Sequence, residues 1–152
     1  MRYIERILQP GERVVYTTRI HWIIYLPAAL LLAVTVAALV QGGRAASHGM
    51  NWTLVAGICA VIGLLAGLSA WIKRWTTEID VTDRRIVYKR GLIRRRTVEM
   101  NMDKVESVDV DQTVLGRMLD FGNVTVRGTG TGIEPLFNVE NPLQFRNHVT
   151  AR

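Results

Sequence analysis

The sequence holds a single cysteine, Cys59, in 152 residues. That excludes a disulfide framework and any cysteine-based metal site, and leaves Cys59 as a small apolar packing residue. Histidine is scarce too, and His21, His48 and His148 are far apart in the chain. None lies near the acidic run Glu106, Asp109, Asp111, so a three-ligand metal site has no local support. No GxSxG elbow or other nucleophile signature is present. The glycine-rich stretch 128–132, GTGTG, lacks the Lys-Ser/Thr and helix of a phosphate loop and reads as a hairpin loop. The chain therefore carries no motif for a cofactor, and catalysis is not expected.

The most informative absence is of charge. Residues 22–40 and 52–72 contain no Asp, Glu, Lys, Arg or His. As helices these runs are about 28 and 31 Å long, close to the roughly 30 Å hydrocarbon core of a bilayer. Neither has a polar face, and a chain this short would struggle to enclose two such helices as a soluble core. The expectation is a transmembrane hairpin. With no charged residue or histidine at membrane depth, a pump or transporter is not expected. Small residues recur four apart: Ala29, Ala33 and Ala37 in the first span, Gly63 and Gly67 in the second. Such stripes allow close helix packing, either of the hairpin on itself or with another copy.

The formal charge of +6 is spread as +2 over residues 1–21, +1 in the connector 41–51 and +3 over 73–152. Arg2, Arg6, Arg13 and Arg19 flank one side of the spans and Lys73, Arg74, Arg84 and Arg85 the other, whereas the connector holds Arg44 alone. The positive-inside rule then places both termini in the cytoplasm, as in a multi-pass protein of a cell's inner membrane. Trp22, Tyr25, Trp52, Trp71 and Trp75 fall near the expected interfaces. The amino-terminal segment is too long and polar for the charged start of a cleavable signal. Beyond the Pro10-Gly11 turn, the alternation at Val14, Tyr16 and Thr18 allows a short strand that adds to a sheet built from the distant carboxy-terminal part.

After residue 73 the apolar period changes from helical to alternating. Thr77, Ile79 and Val81 face one way and Glu78, Asp80 and Thr82 the other. RIVYK, RRRTVEMNM, VESVDVD and NVTVRGT follow as further short strands, which argues for a small antiparallel sandwich or barrel. Val114, Leu115, Met118 and Leu119 suit a helical turn that plugs an open edge of the sheet. Asn141-Pro142 opens a terminal helix as cap and first residue, with Leu143, Phe145 and Val149 on its apolar side. The fold class is thus α+β, in three parts: a segment 1–21, a hairpin 22–72 with spans 22–40 and 52–72, and a domain 73–152.

The charge is in blocks. Arg84, Arg85, Lys89, Arg90, Arg94, Arg95 and Arg96 run without an acid, and their hairpin has the apolar tip Gly91-Leu92-Ile93. Such a hairpin can lie on an anionic leaflet, where each Lys or Arg contributes about 1 kcal/mol. The plainer reading is a solvated strand face. The acids of the following strand read as its wet side rather than paired catalytic carboxylates. Tyr88 is the one aromatic in the basic run, which lacks an interleaved series of stacking aromatics, so nucleic acid is not an expected partner.

Thr82–Arg85, Arg90–Ile93, Val105–Val108, Gln112–Leu115, Leu119, Gly122 and Val124 together resemble the bacterial pleckstrin-homology-like family of small two-span inner-membrane proteins. The resemblance covers residues 76–150 or so, and the two preceding spans fit it. Asp120 departs from the family's usual glycine, though aspartate tolerates left-handed backbone. The resemblance implies a PH-like barrel closed by a carboxy-terminal helix and a role in binding. Eukaryotic PH domains hold phosphoinositides with basic hairpins, which extends the expectation to an anionic headgroup. The expected partners are membrane lipids together with a protein partner or a second copy of the chain, in the manner of an adaptor or scaffold.

Overall fold

A computed structural model describes residues 4–44, 51–92, 96–130 and 135–151. The chain forms two compact units: Trp22–Ile72 is one, and Met1–His21 with Lys73–Arg152 is the other.

The first unit holds α2 (Leu26–Arg44) and all but the last four residues of α3 (Trp52–Thr76), the two apolar helices, each long and apolar enough to cross a membrane. The buried residues of α2 are Ala28, Thr35 and Ala38, and those of α3 are Ala56, Gly63 and Ala70. A Cβ placed on Gly63 would stand 3.2 Å from Leu31 Cβ, and one on Gly67 3.6 Å from Ala28 Cβ. Small residues are thus where the backbones approach. The Thr35 hydroxyl donates to Leu31 O at 2.9 Å, so its polar group is satisfied within its own helix. Ala29, Ala33 and Ala37 lie on an exposed face of α2, one residue round from the face that meets α3. Most of the 41–51 connector lies outside the described residues.

The second unit begins with α1 (Ile4–Ile7), whose Ile4 is buried, and β1 (Val14–Thr18). After α3 come β2 (Glu78–Thr82), β3 (Arg85–Arg90) and β4 (Arg96–Asn101), and all four strands form one antiparallel sheet in the order β1-β2-β3-β4. A 3-10 turn, Met102–Lys104, leads to β5 (Val105–Asp111). Then follow α4 (Val114–Met118), β6 (Phe121–Gly128), β7 (Leu136–Glu140) and α5 (Pro142–Thr150). The order of the second sheet is β5-β6-β7. β-branched residues at alternate positions build the core between the sheets: Ile79, Val81 and Ile86 from the first, Val108, Val124 and Val126 from the second, with Phe145 of α5 fully buried among them.

Three expectations change. The sheets do not close into a barrel: the turn at Met102–Lys104 carries the chain from β4 into a separate sheet, so β4 and β5 share no ladder among the described residues. The opposite corner is stitched by one bridge, Ile20 to Val139, flanked by His21 N donating to Asn138 O (2.7 Å) and Glu140 N donating to Arg19 O (2.9 Å). Next, α4 does not plug the sheet with its apolar side chains. Its one buried residue is Gly116, where a Cβ would come within 2.6 Å of Phe121 O, and the apolar side chains point outward. Finally, Asn141 precedes α5 but does not cap it with its side chain. At φ +49° its backbone is left-handed, and its N–H donates to Asp120 O.

The polar side of β2 is not wet either. Asp80 and Thr82 are buried because the amino-terminal segment covers them: Thr17 Oγ1 donates to Asp80 Oδ1 at 2.7 Å, and Thr82 Oγ1 is 2.8 Å from Glu12 Oε1.

Candidate functional site

The strand registers decide where the basic residues go. β2 starts at Glu78, two residues beyond the last turn of α3, and Glu78 pairs with Lys89. Arg90 then pairs with Arg96 across the β3–β4 hairpin. Lys89, Arg90, Leu92 and Arg96 therefore gather at the end of the first sheet where the chain returns from the apolar helices. Arg90, Leu92 and Arg96 are exposed, Leu92 by 59%, and Gly91 turns the chain at φ +96°. Ile93, Arg94 and Arg95 lie outside the described residues.

Arg84 and Arg85 are at the other end of β3, with Arg85 about 17 Å from Arg90 over five residue steps at roughly 3.3 Å each. Arg85 is held by several partners. Its Nε and Nη2 donate to the two Glu12 carboxylate oxygens, each at 2.9 Å. Its Nη1 donates to Glu99 Oε2 at 2.8 Å and its Nη2 also to Ile7 O at 2.7 Å. The Glu12 side chain is fully buried. Burial alone would raise its carboxyl pKa, but hydrogen bonds from Gln9 N and Arg85, with the Thr82 hydroxyl, hold it below the ordinary value. Hydrogen bonding to Glu12, against the cost of burial, raises Arg85 further. This pair is a clasp between the amino-terminal segment and the β2–β3 turn. Only the pattern of charge was visible in the sequence, and nothing in it singled out Glu12 as the partner.

At the corner where the chain leaves for the first apolar helix, buried His21 stacks on Phe121 with ring centroids 5.1 Å apart. Burial lowers its pKa and Arg74 adds to that, while Glu140 and Asp120 oppose. Asp120 itself sits at φ +54°, the left-handed backbone for which a glycine is the usual choice.

A family model described as a bacterial PH domain matches residues 21–152. The chain belongs to that family. The match takes in both apolar helices as well as the two sheets and α5, so in this bacterial PH domain they are part of one family unit. No curated protein and no solved structure matches the chain.

Glu106, Asp109 and Asp111, on β5, are exposed, and Asp109 pairs with Arg127 of β6 at 2.9 Å. Among the described residues of this bacterial PH domain, no three His, Cys, Asp or Glu side chains are grouped to hold a metal. Besides the hairpin end, exposed apolar side chains stand out on α4, at Phe137 (64%) of β7 and at Leu143 (45%) of α5.

Proposed function

We propose that this chain is a membrane-anchored interaction module that binds rather than transforms. In this reading α2 and α3 span a bacterial inner membrane, both termini are cytoplasmic, and the PH unit works at the inner leaflet. Its first ligand is an anionic lipid headgroup, held by the β3–β4 hairpin through Lys89, Arg90 and Arg96 with Leu92 against the lipid. One observation supports this: Lys89 pairs with Glu78, which follows the end of α3 by two residues, so the hairpin's end of the sheet is the end at which the chain arrives from the second apolar helix. Arg84 and Arg85 drop out of the contact, Arg85 because Glu12 and Glu99 already occupy its guanidinium.

The test reconstitutes the full chain in nanodiscs of phosphatidylcholine doped with phosphatidylglycerol or cardiolipin, and counts co-purifying anionic lipid by native mass spectrometry. Arg90→Glu with Arg96→Glu should lose anionic lipid relative to the unaltered chain. Equal retention would refute headgroup binding here. The fragment 73–152 is unsuited to the purpose, because it lacks β1 and the Glu12 clasp.

A protein partner or a second copy, as for an adaptor or scaffold, is a second reading, supported by the exposure of Phe137 and Leu143 outside a core that is complete without them. Crosslinked co-purification from native membranes tests it. Recovery of the chain alone and monomeric counts against it.

A further inference from the structure

The α4 turn is an amphipathic turn built inside out. Val114 is 76% exposed, Leu115 64%, Met118 76% and the following Leu119 39%. Isolated exposed apolar residues need no explanation, but four within six residues form a patch that water disfavours. Local structure enforces this. Thr113 Oγ1 accepts from Gly116 N at 3.1 Å, and Gln112 Nε2 donates to Phe121 O at 3.1 Å. With Gly116 against the Phe121 carbonyl there is no room for a side chain on the inner face. The turn is seated by backbone, and its apolar side chains have nowhere to go but out.

Its neighbours indicate what covers it. Phe121, two residues beyond Leu119, stacks on His21, and His21 directly precedes the 3-10 turn Trp22–Tyr25 that leads into α2. The turn therefore sits beside the point where the chain leaves the PH unit for its first apolar helix. Trp75, in the last turn of α3 that belongs to the same unit, is 75% exposed, as suits a ring at headgroup depth. Arg117 is the one charged side chain in the turn and is exposed, and a guanidinium is chemically suited to a lipid phosphate. Asp111 and Asp120 flank the turn and are exposed, which limits entry to a shallow depth.

We propose that Val114, Leu115, Met118 and Leu119 insert into the interfacial layer of the bilayer, giving the PH unit a lipid contact of its own beside its two covalent connections. The occupant is lipid, because an apolar patch one stacked ring from a membrane entry point meets the leaflet before any other apolar phase. This inference rests on the reading that α2 and α3 span the membrane, and the experiment separates the two.

In a Cys59→Ala background, full-length chains carrying Met118→Cys, Lys104→Cys or Leu64→Cys are labelled with one small fluorophore and reconstituted into anionic vesicles. Each is exposed to iodide in the water and, separately, to a nitroxide carried shallow in the lipid or at the acyl-chain centre. Lys104 is exposed in the turn between the sheets, and Leu64 is exposed midway along α3. The Met118 label should be quenched several-fold more by the shallow nitroxide than the Lys104 label and be shielded from iodide. If it is as open to iodide as the Lys104 label, the inference is overturned. Shielding from both quenchers means a protein surface covers the turn, which also overturns it. The Leu64 label reports on the anchor alone: quenching by the deep nitroxide supports the spanning reading whatever Met118 does, and its absence removes both. Val114→Cys repeats the measurement should the Met118 variant fail to fold.

Discussion

Glu12 and Arg85 meet through both oxygens of the carboxylate and two nitrogens of the guanidinium, each contact 2.9 Å long, across 73 residues of chain. A buried pair of this kind costs much to break singly, because the surviving charge is left without a partner. Arg85→Ala and Glu12→Ala are each expected to lose about 3–5 kcal/mol of stability, and the double variant less than the sum. Denaturant unfolding of the full chain in detergent measures this. Two single losses below about 1 kcal/mol would mean that water reaches the pair.

The same carboxylate sets an acid limit. Its pKa is below the ordinary 4.5 in the folded chain, so the unfolded chain binds the proton more readily. The clasp's contribution is complete above that ordinary value and is lost as the pH falls through it toward the folded pKa. Glu12→Gln should flatten the stability curve in that acid window. His21 acts higher up, since burial lowers it from the ordinary 6.5. Its neutral form favours the fold above pH 6.5, and stability should begin to fall below that value. His21→Gln should remove only this upper step. Melting temperatures from pH 3 to pH 8 would resolve the two.

Two glycines test packing in the two units. A Cβ on Gly122 would stand 2.6 Å from Gln112 Cγ and 2.8 Å from Asp111 O. Gly122→Ala is therefore expected to cost about 1–3 kcal/mol. In the hairpin, Gly63→Leu should lower the melting temperature in detergent by forcing α2 from α3. Gly57→Leu should leave it unchanged, since a Cβ there meets nothing within 4 Å. Similar effects from both would show that the helices do not pack through Gly63.

Asp120 occupies left-handed backbone at φ +54°. Asp120→Gly should be neutral or slightly stabilising, and Asp120→Val should lose about 1–2 kcal/mol to steric strain. Equal stability of the two variants in urea would show that the turn relaxes.

What the sequence determined was local. Uncharged runs of helical length can form little other than apolar helices, and period-two alternation marks strands such as Ile79–Val81 and Val124–Val126 whatever they pair with. The left-handed turn at Asp120 was legible because the surrounding residues resemble a pattern with glycine there. The tertiary structure decided everything that depends on what covers a face. Alternation separated Thr82 from Val81, but only the amino-terminal segment folding back from 70 positions away makes both sides of β2 dry. Charge counting made Arg84–Arg96 one block, whereas antiparallel pairing sends its two ends to opposite ends of β3 and gives Arg85 to Glu12. The spacing of Ala29, Ala33 and Ala37 fixed a period along α2 but not its phase, which Gly63 sets by admitting Ala28 and Leu31. At α4, apolar composition spoke for burial, yet the backbone seat of Gly116 turned those side chains out. A sequence states the period of a surface, and only long-range packing states which way that surface looks.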